Sequence, residues 1–342
     1  MRSVSVVGTG LIGASIGIGL SVAGWEVCGW DTDPEHLAQA ASVGAVSKQA
    51  ESLDAAVKDA ELVILASPPR ATISMLSDLR TDALVTDVAG IKQPVVEAAS
   101  GLSRFVGGHP MAGREVSGPL GASGGLFRGA TWVITTDHAG PRDILSVSEV
   151  VRTLEALPVE MTAERHDRIV ALVSHLPMVI AASLVDRLSR EGAAADALVA
   201  GGFRDLTRIA LSNSDWWADL LVSNRVSLSS VLREMSAGLE DWARHLDEVE
   251  EQWVGELLGS ARRARAAFGT PGEGLGVLLE DRPGEIARVG HALSESGVDL
   301  RDLQLRHATH GGGGVLTLSV RPEESDSLRR SLRAEGFRLL GD

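Results

Sequence analysis

The chain contains no tyrosine and a single cysteine among 342 residues. Cys28 therefore has no partner for an internal disulfide. Within the apolar stretch WEVCGWD it reads as a reduced structural residue, which fits a cytoplasmic setting. Basic residues are in deficit, 32 Lys and Arg against 46 Asp and Glu, for a formal charge of −14. That balance argues against a nucleic-acid partner, because a phosphate backbone is met by a basic face. Long apolar runs are scarce as well. Each is broken by Gly, Ser or a charge before the roughly 20 residues a spanning helix needs, so no membrane segment is expected. The first strand-like run starts at Ser3 and leaves no room for a signal peptide. HExxH and paired CxxC spacings are missing, so no metal is expected.

What is present is an ordinary globular composition, 44% hydrophobic and 23% charged. The length exceeds what one core holds, and two or three domains are expected. Residues 1–162 alternate short apolar runs (SVSVVG, WEVCGWD, LVILAS, ALVTDV, RFVGG, ATWVITT, PVEMT) with helical stretches such as EHLAQAASVG. That alternation predicts a Rossmann-like, doubly wound α/β domain, a parallel sheet with helices on both faces. Residues 163–268 carry almost no strand signal and form an all-α domain, with Pro177 kinking or dividing a long apolar helix. Its apolar faces are too extensive for a monomeric bundle, and a homodimer is expected. After a linker, GTPGEG at 269–274, residues 274–342 read β-α-β-β-α-β, the ferredoxin-like order, with a turn at Gly311–Gly314.

VVGTGLIGAS sets Gly8, Gly10 and Gly13 in G-x-G-x-x-G register between a strand and a helix, with Asp31 eighteen residues beyond Gly13. Gly8 permits the turn, Gly10 the approach of a pyrophosphate, and Gly13 the helix–strand contact; Thr9, Leu11 and Ile12 complete the loop. Asp31 is expected on the adenosine ribose, where a carboxylate repels a 2′-phosphate, so NAD is favoured over NADP. Loops at the ends of later strands should line the same crevice. ASPPR brings Ser67 and Pro68, and TDVAGIK brings Asp87, although both also read as plain turns. His109, in FVGGHP, follows another apolar run. Hydride loss from an alcohol carbon requires that the hydroxyl proton go somewhere, and a neutral imidazole accepts it near pH 7. GGFRDLTRIALSNSDWW places Arg204 and Arg208 four apart on one helical face, a fork for carboxylates or an ion-pair network with Asp205 and Asp215. His175, in SHLPM on an apolar helix, reads by itself as a core histidine.

GTGLIGAS, TDVAGIK, GGHPMAGRE, SHLP and FRDLTRIALSNSDWW occur in order across most of residues 1–270. Together they resemble the prephenate/arogenate dehydrogenase family of tyrosine biosynthesis, and LLEDRPGEIARV resembles an ACT regulatory domain. The resemblance implies NAD-dependent oxidative decarboxylation of a cyclohexadienol. His109 would be the base for the ring hydroxyl, Arg208 with Arg204 the carboxylate binder, and His175 a residue bordering the site. Glu115 falls where relatives have an acidic residue near the substrate entrance. Three positions depart from the usual pattern: Gly90 where many read Ser, Met178 where many read His, and Arg114 where a small hydroxyl residue is common. Arg114 adds a cation for a dicarboxylate and Glu115 suits an ammonium; the reading leans to prephenate, with arogenate the alternative. For the tail, the loop Asp281–Gly284 at a helix N-terminus is expected to hold an aromatic amino-acid effector, with a mere dimerisation element as the rival. A hydroxy-acid or imine dehydrogenase would share only the glycine loop, and a non-catalytic sensor would not retain the proton acceptor. A chain without tyrosine can be translated when tyrosine is scarce, though compositional drift explains the same count.

Overall fold

The β-branched runs of the N-terminal half pair side by side: β1 (Ser3–Val7), β2 (Glu26–Trp30), β3 (Lys48–Gln49), β4 (Leu62–Leu65), β5 (Leu84–Asp87) and β6 (Phe105–Val106). In this computed structural model, which describes residues 3–113, 116–267, 273–307 and 313–340, they form one parallel sheet in the order β3-β2-β1-β4-β5-β6. That is the doubly wound order, and its switch point lies between β1 and β4, where Val6 faces Gly29 on one side and Ile64 on the other. Val6, Val63, Leu65 and Val85 are fully buried because helices cover both faces. The helices begin as their sequences suggest. Asp33 accepts from the Glu35 N–H and Ser52 from the Ala55 N–H, and Pro69, Pro94 and Pro141 stand in first turns, where a missing N–H costs nothing.

The single parallel sheet expected over residues 1–162 is corrected. Gly107 interrupts the run after β6, and β7 (Gly108–Pro110) turns away to pair antiparallel with β8 (Thr131–Thr135), which pairs parallel with β9 (Leu157–Met161). His109 thus sits on a separate three-stranded sheet. Gly107 is fastened there by its N–H to Thr135 Oγ1 (3.0 Å) and its carbonyl to the Thr135 N–H (2.8 Å).

Two compact units are formed, Met1–Gly238 and Leu239–Asp342. The first takes in the α/β layers and the helices up to Gly238. Among these, Ala163–Val170 runs through a π-helical turn, Ala171–His175, into Leu176–Ser189. The whole stretch Ala163–Ser189 is helical over 27 residues with a mean hydropathy of 1.9 in its most apolar window. By length and composition it could cross a membrane, contrary to the expectation from broken apolar runs. Ser174, His175 and Pro177 looked like breaks, but the π turn absorbs the proline and the helix continues. Its exposed face presents Ile169, Leu172, Val173 and Val185. Arg204 and Arg208 do not share one α-helix: the helix ends at Thr207 and Arg208 opens a 3-10 turn.

In the second unit, β10 (Glu273–Leu279), β11 (Asp302–His307), β12 (Gly314–Val320) and β13 (Arg338–Leu339) make an antiparallel sheet ordered β11-β12-β10-β13. Helices Glu285–Ser296 and Pro322–Ala334 pack on it over a core of Val277, Leu316, Leu318, Leu328 and Leu332. β10 takes up the last two residues of the expected linker. Of the Gly311–Gly314 turn, the first two glycines lie outside the described residues. Gly313, at φ +105°, adopts a backbone that favours glycine.

Candidate active site

At the switch point the glycine loop is shaped by contacts that only glycine allows. A Cβ on Gly8, whose φ is +92°, would stand 2.6 Å from the Ala66 carbonyl oxygen, and one on Gly13 would stand 1.9 Å from that of Gly8. Gly10 instead borders open space, with nothing within 4 Å of where its Cβ would be. Helix Leu11–Val22 starts there with no side-chain cap and no acidic residue in its first turn. Uncapped N–H groups facing an open space are what a pyrophosphate requires. Leu11 and Ile12 are half-buried in that first turn. Asp31 ends β2 as expected, and three donors hold it: Thr9 N–H (2.6 Å) and hydroxyl (3.0 Å), and Asp33 N–H (2.9 Å). Thr9 is therefore corrected from a cofactor contact to a brace for Asp31, since both its donors are taken. Ser67 Oγ lies 2.7 Å from the Cβ position of Gly8, and Pro68, exposed, leads into helix Pro69–Asp78.

Asp87 needs a second correction. It ends β5 where a cofactor contact was expected, but it is completely buried and its carboxylate is occupied. One oxygen accepts the Gly108 N–H (3.0 Å); the other accepts the Ala89 N–H (2.8 Å) and the Lys92 ammonium. Lys92, also fully buried, donates to the Gly108 carbonyl (2.7 Å) as well. Burial pulls its ammonium below the usual lysine range, opposed by Asp87 and Asp167. This pair clamps Gly108, and so fixes the backbone of the residue that follows.

That residue is His109, and its partners come from far along the chain. His109 Nδ1 meets His166 Nε2 at 2.8 Å, and His166 Nδ1 meets Asp167 Oδ1 at 2.7 Å. Asp167 also accepts the backbone N–H groups of Lys92 (2.6 Å) and Gln93 (2.9 Å). A carboxylate only accepts, so His166 donates from Nδ1 and its Nε2 must accept. His109 therefore donates from Nδ1, and its lone pair lies on Nε2. Burial, reinforced by the charges of His166, Lys92 and His175, holds His109 well below the ordinary histidine value. It is a neutral acceptor at pH 7.

His175, on the π turn, is fully buried, and burial lowers it to about 4. Its Nδ1 lies 3.1 Å from Asn224 Nδ2, which also donates to the Asp167 carbonyl (2.9 Å), while Nε2 has no partner. Met178 is buried one turn on. Arg204 and Arg208 are exposed, and the turn Arg208–Leu211 packs against helix Leu176–Ser189. Arg70, from the ASPPR loop, ties Asp219 of helix Ser214–Ser223 at 2.6 Å. Arg114 and Glu115 lie outside the described residues.

The sequence reading missed His166, Asp167, Asn224 and Lys92. A lysine inside the apolar run AGIKQPVV was the one available signal, because a buried ammonium demands a carboxylate. The largest cavity, about 880 Å³, lies at the other end of the sheet, where β4 and β5 begin, and is lined by Trp25, Lys58, Arg80 and Arg104. In the second unit a cavity of about 400 Å³ is bordered by Asp281, Arg282, Gly284 and Glu285. His245, Glu248 and Glu250 bring ligand atoms within 4.8 Å of one another. There, however, His245 Nδ1 already bonds Glu250, and its Nε2 faces Arg244 Nη2 at 3.1 Å.

Comparison with known proteins adds three findings. Residues 20–160 match the family model for the prephenate dehydrogenase nucleotide-binding domain, and residues 162–258 that for the prephenate dehydrogenase dimerization domain. A prephenate dehydrogenase from Lactococcus lactis is 34% identical over 266 residues, 73% of this chain and 70% of that protein. Among solved structures, Aquifex aeolicus prephenate dehydrogenase in complex with hydroxyphenyl propionate and NAD+ superposes with a TM-score of 0.70 at 28% identity, covering 79% of this chain and 99% of that one. Synechocystis arogenate dehydrogenase gives 0.71 at 28% identity, covering 78% and 100%.

Proposed function

Because the chain belongs to the prephenate dehydrogenase family, we propose that it converts prephenate to 4-hydroxyphenylpyruvate by NAD-dependent oxidative decarboxylation. The observation that carries this reading is the bare lone pair on His109 Nε2, fixed by the chain of donors that ends at Asp167. Bound NAD supplies the hydride acceptor. Gly8, Gly10, Gly13, Leu11 and Ile12 would hold its pyrophosphate, Asp31 its ribose, and Ser67 and Pro68 would border it; the uncapped helix and the open space at Gly10 fit that group.

His109 takes the hydroxyl proton as the ring oxygen gains carbonyl character. Departure of the ring carboxylate as CO2 then returns an electron pair to the ring, and the oxygen takes the proton back as a phenol. No net proton is released, so a buried acceptor whose relay stops at Asp167 suffices. Arg208, with Arg204, grips a substrate carboxylate, His175 borders the ring, and Arg114 and Glu115 stand at the entrance. Aromatisation makes the step downhill, leaving positioning and proton transfer as the work of the protein.

In this reading residues 1–162 bind the dinucleotide, 163–268 complete the substrate site and pair two copies, and 274–342 form an ACT-type regulatory domain. The exposed apolar face of Ala163–Ser189 supports the pairing. The βαββαβ order supports the regulatory domain, with an aromatic amino acid held at Asp281–Gly284. Arogenate is the second reading, favoured by the acidic Glu115. Mixing protein and NAD with prephenate, then arogenate, and following NADH absorbance tests the proposal. NADH formed from prephenate at the higher kcat/KM supports it; turnover of arogenate alone moves the assignment to the second reading; no turnover of either refutes both. Deleting residues 270–342 should abolish inhibition by tyrosine, and unchanged inhibition assigns the segment to dimerisation instead.

A further inference from the structure

Gly90 has a backbone that any residue could adopt, since its φ lies outside the left-handed range, so glycine there answers to space. A Cβ at Gly90 would stand 3.6 Å from His109 Nε2 and 3.8 Å from its Cε1, directly before the acceptor nitrogen. The same point is 3.2 Å from Leu220 Cδ1. Leu220 is buried on helix Ser214–Ser223, a helix braced from the opposite side by the Arg70–Asp219 ion pair. Glycine thus leaves a gap in front of Nε2, and a leucine methyl closes its far side.

We propose that Gly90 and Leu220 are positioning residues for the reaction: Gly90 keeps the space before His109 Nε2 open for the substrate hydroxyl, and Leu220 seals that space against water. The proposal rests on the reading of His109 as the proton acceptor. The other groups near the imidazole are His166, Asp167 and His175 from the helices beginning at Ala163, and Lys92 with Asp87 from the loop after β5. All are fixed by bonds to one another, so the leucine is the neighbour whose replacement changes the solvent at Nε2 without altering a charge.

Two substitutions separate the parts. Gly90→Ala puts a methyl where the hydroxyl should sit, and KM for prephenate should rise about tenfold, the cost of obstructing a well-placed contact, while the affinity for NADH, read by fluorescence titration, holds. Leu220→Ala admits water, and the acid limb of kcat/KM should move up by about 0.5–1 pH unit as the imidazole is resolvated; Leu220→Met should leave that limb in place. A merely structural role predicts lower melting temperatures with unmoved KM and limb, and that result overturns the proposal. Should Leu220→Ala fail to fold, Gly90→Ala decides alone, because an unchanged KM removes the substrate from the gap. The underlying reading fails separately: His109→Ala would retain wild-type kcat.

Discussion

A proton acceptor is only as good as the group that fixes its tautomer, and here that group is Asp167. Its carboxylate accepts from His166 and from two backbone N–H groups, and the order of donors runs outward from it to His109 Nε2. Asp167→Asn introduces a donor where three donors converge. We expect kcat to fall by about 10²–10⁴-fold with a smaller change in KM, as when a buried orienting carboxylate is lost elsewhere. NADH-linked rates measured from pH 5 to 9 check this. In the wild type, burial keeps His109 neutral, so the acid limb of kcat/KM should lie well below pH 6.5; a limb at or above 6.5 would contradict the buried acceptor. His109→Ala should lower kcat by about 10²–10⁴-fold, whereas Arg208→Ala should chiefly raise KM, and steady-state kinetics on the two variants separates proton transfer from anchoring.

At the scale of elements, the glycine loop and the helix it opens act as one part. Gly13→Ala places a methyl against the Gly8 carbonyl, which must move the helix start away from the sheet. NAD affinity should fall at least tenfold, measurable by titrating NADH fluorescence, since the uncapped N–H groups move with the helix. This part was legible in the sequence because its residues are adjacent and each glycine answers a local demand. His109 was legible for the same reason, as a titratable ring behind two glycines and before a proline. Its partners were not, because His166 is 57 positions away and is brought in by the packing of the helix Ala163–Val170. Asp87 was misread since a carboxylate at the end of a parallel strand looks the same in sequence whether it faces a cofactor or a buried lysine. The separate sheet of β7, β8 and β9 escaped notice because strand propensity carries no information on direction.

Over the whole molecule, stability should depend on acid in a defined sense. His175 is held near 4 in the folded chain, against about 6.5 when unfolded. Between those values the unfolded chain binds the extra proton, so this contribution is present above pH 6.5 and drains away as the pH falls towards 4. His109, depressed in the same direction, adds to it. Thermal unfolding at pH 7 and pH 5 should show a marked drop in Tm, and His175→Gln, which retains a partner for Asn224, should reduce that drop. An equal drop in the variant would place the acid sensitivity elsewhere. The π turn at Ala171–His175 carries a further consequence. It holds one residue more than a regular turn, so removing a single codon there would leave an unbroken helix, yet swing everything downstream through about 100°. A shortened chain of that kind would fold and still be blind to its substrate.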